Sequence, residues 1–404
     1  MSLEVLIGRQ PIYNTQLGVD AYELLFRGSG PTAADTATAH VVVNAFQEFG
    51  IEQLAGSRRV GINLSPQLFE IAHELPLPPQ RVIFDIPPAL GHPQHLPQLR
   101  RLAAMGYTLA LDDGRYDPAH SELYALAHMV KLDIRAIAPE RLSADMAALR
   151  RHDLQLLALR IETLAEFERF RDLGFDYFQG YFLSRPRVIR HGASLPPNKV
   201  ALLRLFAIIH DPATETHEIE RAIAADPILS YKLLRLINSA FFNLPRPVTA
   251  LKDTILLLGR QRLATWCTLL ALTQLSDKPS AVFVIALARA RMCELLGEAT
   301  SGIVAGDGFI VGLLSALDIL LDRPLPQVIS PLPLSEDIKR AILEHQGALG
   351  RYLEVVLNYE LSQWRRVGRT DIPASLLTRA RLDALDWADS VLKLTGSTPP
   401  PRLA

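Results

Sequence analysis

YTLALDDGRYDPAHSELYALAHMVKLDI, residues 107–134, is the stretch on which the fold turns. A β-rich run, Tyr107–Leu111, ends in two acids, Asp112 and Asp113. A second run, Met129–Ile134, carries Lys131 and Asp133 two positions apart, which puts both on one face of a strand. Runs of this kind recur on either side: Leu3–Ile7, Asp20–Phe26, Arg59–Leu64, Arg81–Ile86, Leu154–Ile161 and a short one near Tyr177–Phe178. Amphipathic helical patterns lie between most of them, as at Thr36–Leu54, Leu96–Met105 and Leu164–Leu173. Strand and helix in alternation predict a parallel sheet or barrel, and a (β/α)8 barrel closes this number of strands.

At 404 residues the chain has room for two or three domains and a large core. Its 49% apolar and 21% charged residues exclude wholesale disorder. With 42 Lys+Arg against 43 Asp+Glu, the net charge of −1 argues against gripping nucleic acid through overall charge. Arg235, Arg260 and Arg262 supply only sparse positive charge locally. Two cysteines, Cys267 and Cys293, exclude a disulfide scaffold or a multi-cysteine zinc site and read as buried, inert thiols. The opening MSLEVLIGRQPIY lacks the pattern of a signal peptide. Residues 302–321 form the longest apolar run, but Asp307 and Asp318 inside it favour a buried helix over a membrane span. A soluble, cytoplasmic protein without membrane contact is expected.

The rhythm changes after residue 190. Residues 187–198, RVIRHGASLPPN, read as a linker. Beyond it the pattern is helical throughout. Asp226-Pro227 launches Ile228–Asn238; Gly259 ends one helix and Arg260–Leu275 forms the next; Ser280 caps Ala281–Leu296, closed by Gly297. Phe309–Leu320, Glu336–Glu344, Tyr352–Leu361 and Ala374–Leu392 follow. The expected organisation is a barrel over 1–190, a linker at 191–198, an all-helical domain over 199–395 and a disordered tail at 396–404.

Polar residues collect where the strands end. Glu23, Leu25 and Arg27 share one strand face; Asn63 and Ser65 close the next run; Asp85, then Asp112 and Asp113, Lys131 with Asp133, Glu162, and Gln179-Gly180 follow in turn. Singly, each has a plainer reading. A strand-end Asp caps a helix, Lys131–Asp133 and Glu23–Arg27 make ion pairs, and Asn63–Pro66 starts a helix. In a barrel, however, all these ends meet at one rim, the rim that carries active sites. Carboxylates, an amide and an ammonium together suit oxygen-liganded divalent cations (Mg²⁺, Mn²⁺ or Ca²⁺) and a phosphate ester.

Those residues resemble the EAL domain, a cyclic di-GMP phosphodiesterase family with a TIM-barrel fold. YELLFR (22–27), INLS (62–65), LALDD (109–113), VKLD (130–133), IET (161–163) and DYFQGYFLSRP (176–186) resemble its motifs in their order. The second half, through AADPILSYKLLRLINSAFFNLPRPVTALKDTILLLG (224–259) and FIVGLLSALDILL (309–321), resembles the HDOD domain, an all-helical relative of the HD phosphohydrolases. The pairing looks like the EAL–HDOD proteins of bacterial signalling. The resemblance implies metal ligands at Glu23, Asn63, Asp85, Asp112, Asp113 and Asp133, ligand contacts at Arg27 and Gln179, remnant catalytic groups at Lys131 and Glu162, and pairing of two copies beside the loop at 114–118.

The departures from the pattern bear on activity. The family's E-G-V-E, whose first Glu helps activate water, is Leu159-Arg160-Ile161-Glu162 here. Its E-x-T-E is Asp85-Ile86-Pro87-Pro88, with a shorter carboxylate and a Pro for the second Glu, and its D-D-F-G-T-G is Asp112–Asp117 with Arg115 and Tyr116 inside. In the helical half Ser315-Ala316 stands where a His-Asp pair would bind metal. His152-Asp153, His210-Asp211 and His345 read as helix-end or loop residues. The sequence therefore predicts a non-catalytic signalling protein whose helical domain docks partner proteins. A cyclic di-GMP receptor and a slow metal-dependent phosphodiesterase are the alternatives.

Overall fold

The computed structural model describes residues 5–28, 39–112, 116–183, 214–238, 252–259, 278–300, 305–332 and 334–395, with a few single residues between them. Asp113, the linker at 191–198, His210-Asp211, Arg260, Arg262 and the tail at 396–404 lie outside the described residues.

The chain divides into two bodies. One holds residues 1–185 together with 371–382; the other holds 186–370 and 383–404.

The first body is a closed eight-stranded barrel in the order β1 to β8. Its strands are β1 Val5–Asn14, β2 Val19–Gly28, β3 Arg59–Asn63, β4 Val82–Ile86, β5 Thr108–Leu111, β6 Met129–Asp133, β7 Gln155–Leu159 and β8 Tyr177–Gln179. From β2 to β8 neighbours run parallel, each pair joined by a helical crossover. β1 is the exception, antiparallel to both β2 and β8. Four residues, Thr15–Gly18, connect it to β2, too few for a crossover. Asn14 shapes that turn, its Oδ1 accepting the amides of Gln16 at 2.9 Å and Gly18 at 3.0 Å. The alternation alone implied an all-parallel barrel; the short connection reverses its first strand.

β8 pairs with β1 only over Ile12–Asn14, whereas β2 pairs with β1 from Val5 onward. The stretch of β1 beyond β8 is met by the late segment of the same body. The Ile7 amide donates to Thr378 Oγ1 at 3.3 Å, and Thr378, Leu377 and Leu382 are fully buried. Thr378 belongs to helix Ala374–Thr395, which continues into the second body.

Side chains that alternate along each strand fill the barrel in layers. Ile12, Ala21, Ile83, Ala110, Met129 and Leu157 form one apolar layer, with Tyr177 packed against it. Burial of each Ile, Leu or Met contributes roughly 1.5–3 kcal/mol. Two residues further along each strand, on the same face, stand Glu23, Asp85, Asp112, Lys131, Leu159 and Gln179. Asn63 joins them two residues after Gly61, where an added Cβ would lie 3.4 Å from Glu23 Cα and 3.5 Å from Asp85 Oδ2.

β7 stops at Leu159 rather than running to Ile161, because Arg160 takes a left-handed backbone conformation with φ of 62°. The second body is helical. Asp226 caps helix Pro227–Ile237, accepting from the Leu229 amide at 3.0 Å. Helix Ser280–Thr300 runs through Gly297, and the expected Phe309–Leu320 helix is two, Ala305–Leu314 and Leu317–Leu321. Glu336–Glu344 matches its expected bounds. Gly259 has the left-handed φ of 69° that a helix end favours. Both cysteines are buried, and among the described residues no helix is long and apolar enough to cross a membrane.

The backbone of the loop after β7 crosses directly over Gly180, where an added Cβ would lie 1.9 Å from Ile161 O and 2.6 Å from Ile161 N. Only a glycine fits there. Gly180→Ala is expected to lower stability by about 3 kcal/mol or more, read as a fall in the thermal melting temperature.

Candidate functional site

The upper layer of the barrel is a ring of polar side chains around one ammonium. Lys131 Nζ on β6 lies 2.7 Å from Asp85 Oδ2 on β4 and 3.3 Å from Glu23 Oε2 on β2. Lys131 is 2% exposed and Asp85 1%, so the pairing is made almost free of water. Glu23 receives two further hydrogen bonds: Asn63 Nδ2 donates to Oε1 at 2.9 Å, and Gln179 Nε2 donates to Oε2 at 2.7 Å. Asp112 follows β5, part-buried, its amide held by Ile86 O at 3.0 Å.

The groups titrate away from their ordinary values. Burial pushes the Glu23 carboxyl up, but the charge of Lys131 and the hydrogen bonds from Gln179, Asn63 and Lys131 outweigh it and hold it below the usual carboxylate range. Burial also penalises the Lys131 ammonium, yet Asp85 and Glu23 more than compensate and keep it charged. Asp85 goes the other way. Burial, reinforced by the nearby charge of Glu23 and resisted by Lys131, lifts it to about 7. Three carboxylates thus share one ammonium, and the excess negative charge is relieved by Asp85 holding its proton.

That imbalance bears on whether a divalent cation fits. Asp85 Oδ1 and Gln179 Oε1 are buried without a hydrogen-bond partner, oxygens of the hard kind that Mg²⁺, Mn²⁺ and Ca²⁺ take. Glu23, Asn63, Asp85 and Asp112 supply oxygen donors and surplus negative charge, the donor chemistry that a divalent cation takes. As the side chains stand, no cluster of three or more His, Cys, Asp or Glu poised to hold a metal occurs among the described residues. The ammonium sits between two of the acids.

The position after β7 breaks the ring. Leu159 occupies the place in the layer that every neighbouring strand gives to a polar residue, and it packs on the apolar layer beneath. It offers no lone pair to a metal and no base to water. Arg160 next to it ion-pairs through Nε with Asp133 Oδ2 at 3.2 Å, and the Arg135 amide donates to Asp133 Oδ1 at 3.0 Å. Asp133 is therefore bound at both oxygens. Glu162 lies beyond the strand end in the loop that starts the next helix, its amide donating to Glu166 Oε2 at 2.8 Å; Thr163 and Glu166 close a capping box there. Arg27 is four residues past Glu23 on β2, its backbone opposite Leu6. Its side chain lies outside the described residues.

In the helical body, Ser315 Oγ donates to Gly312 O at 2.7 Å. Arg289 donates to Ser315 O at 3.1 Å and forms a buried ion pair with Glu360 at 2.9 Å. A salt-bridged structural knot thus stands beside the Ser315-Ala316 position. His345 caps helix Glu336–Glu344 with a φ of 56°, and His152-Asp153 lies in the turn after helix Pro139–Arg150, the ring of His152 5.2 Å from that of Tyr124.

Sequence reasoning named every polar member of the ring. The pairing of Arg160 with Asp133 was not foreseen. A long cationic residue at a glycine position, near an acid on the preceding strand, was the available signal.

Comparison with known proteins places these features. Residues 10–186 match the EAL domain and residues 195–327 the HDOD domain. A protein of Vibrio cholerae called cyclic di-GMP phosphodiesterase CdgJ is 32% identical over 374 residues, 89% of this chain and 86% of that one. The chain belongs to the EAL–HDOD family. Another relative, the uncharacterized protein YuxH of Bacillus subtilis, is 28% identical over 96% of this chain and 99% of its own. Among solved structures, an EAL domain protein from Listeria monocytogenes is 19% identical, covering 45% of this chain and 88% of that one at a TM-score of 0.35. In this EAL–HDOD protein the ring described above is the rim of the EAL barrel.

The central ion pair makes a pH-dependent prediction. Asp85 holds its proton to about pH 7 in the folded barrel and only to about 4 when unfolded. It therefore costs stability as pH rises between those values. Lys131→Met removes its nearest cation and pushes Asp85 higher still. At pH 8 the variant is expected to lose about 3–5 kcal/mol, and less at pH 5.5, where Asp85 is neutral. Melting temperatures across pH 5.5–8 check this; a deficit independent of pH would refute it.

Proposed function

We propose that this protein is a non-catalytic cyclic di-GMP signalling protein, whose EAL barrel binds the dinucleotide without hydrolysing it at an enzymic rate and whose HDOD body docks partner signalling proteins. The observation that carries this reading is Leu159, the one apolar residue among the polar side chains that the neighbouring strands place in the same layer. Hydrolysis of a phosphodiester needs a water deprotonated beside the phosphorus. The residue at this position cannot accept that proton, and loss of a general base alone costs about 10²–10⁴ in rate.

Binding places smaller demands on the site. Glu23, Asn63, Asp85 and Asp112 would hold a divalent cation (Mg²⁺, Mn²⁺ or Ca²⁺), which when bound polarises a phosphate oxygen. Lys131 keeps Glu23 and Asp85 in place and holds Glu23 ionised. Gln179 fixes the second oxygen of Glu23. The rim thus keeps the groups that orient a phosphodiester and lacks the one that would attack it. In the HDOD body, the buried Arg289–Glu360 pair supports packing of helices rather than metal chemistry.

A second reading, slow hydrolysis, has its own support, since a relative 32% identical is named a phosphodiesterase. Product analysis decides between them. With Mg²⁺ or Mn²⁺ the natural chain is expected to yield linear dinucleotide at least 10²-fold more slowly than the double variant Leu159→Glu, Arg160→Gly. Turnover by the natural chain equal to that of the double variant, and abolished by Glu23→Ala or Lys131→Ala, would establish the second reading instead.

A further inference from the structure

Arg160 combines three features. It is one of six non-glycine residues in the left-handed region among the described residues, φ 62°, a conformation that costs a side chain strain and that glycine adopts freely. It directly follows Leu159, so it sits at the barrel rim beside the gap in the polar ring. Its side chain is 69% exposed yet oriented: Nε is taken by Asp133 Oδ2 at 3.2 Å, and Asp133 is itself fixed by the Arg135 amide. An exposed ion pair of this kind adds little to stability, so it does not explain why the chain tolerates the strain. What the pairing achieves is geometric. With Nε paired to Asp133 and the side chain largely exposed, the guanidinium is accessible to solvent as the fork that recognises phosphate oxygens in a bidentate manner.

We propose that Arg160 is a ligand-binding residue whose guanidinium, positioned by Asp133, grips a phosphodiester oxygen of a cyclic dinucleotide at the rim. It supplies there, as a fixed cation, positive charge that does not depend on a metal. The inference rests on the reading of the barrel as a cyclic di-GMP binding site and adds to it a mode of binding that persists without metal. Arg160 acts on the ligand directly; Asp133 is a positioning residue.

Calorimetric titration of the full chain with cyclic di-GMP in excess EDTA, where turnover is suppressed, tests it. The natural chain is expected to bind. Arg160→Gly should weaken binding at least tenfold while leaving the melting temperature unchanged or higher, because glycine relieves the left-handed strain. Arg160→Lys, which keeps the charge and loses the fork, should fall between them, and Asp133→Asn should weaken binding by a smaller factor than Arg160→Gly. Affinity of Arg160→Gly within twofold of the natural chain would overturn the proposal. So would binding by the natural chain that appears with Ca²⁺ and vanishes in EDTA, although the barrel would then still be a receptor. No binding in either condition would overturn the receptor reading and this inference with it.

Discussion

The ammonium of Lys131, buried between Asp85 and Glu23, is the interaction on which the barrel rim depends. A lysine taken out of water is destabilising unless opposite charge meets it closely, and here two carboxylates do so at 2.7 and 3.3 Å. Those contacts fix β6 against β4 and β2 at the level where the apolar filling of the barrel gives way to polar side chains. The orientations of Asn63 and Gln179 follow, since both amides donate to the carboxylate that Lys131 holds. Removing the ammonium would leave acids facing one another in a dry interior.

The same layer shows how a fold outlasts one of its chemical roles. Leu159 extends the apolar filling by one position, which is no burden to the barrel; it buries more hydrocarbon and leaves the ring of hydrogen bonds on the other strands intact. Arg160 then restores positive charge at the mouth by a different route, from a strained turn and through an acid on the preceding strand. The local cost lies in the backbone of one residue, and the surrounding contacts of Ile161 with β8 hold that turn in place.

The polar ring was legible in the sequence because period-2 alternation is a property of any strand and because each member stands two residues beyond an apolar one. The start of one helix followed from a cap and a proline, at Asp226-Pro227. What the linear pattern could not show were relations between distant segments. The reversed direction of β1 depends on the shortness of one turn, and β7 ends early because of a single φ angle at Arg160. Arg289 and Glu360 are 71 residues apart, and nothing in the helical periodicity joins them. Gly297 was read as a helix end, but the helix goes on to Thr300 because a glycine within a buried face is tolerated when its packing holds it.

The membership of residues 371–382 in the barrel body has a consequence for how the protein comes into being. A ribosome releases the eight strands first, then the 185 residues from 186 to 370, and only afterwards the segment that meets Ile7. At 5–20 residues per second, that interval is about 10–40 s. Throughout it the Ile7 amide lacks the Thr378 hydroxyl that accepts from it in the folded protein. The nascent barrel thus waits through that interval for the hydroxyl that Thr378 brings to β1.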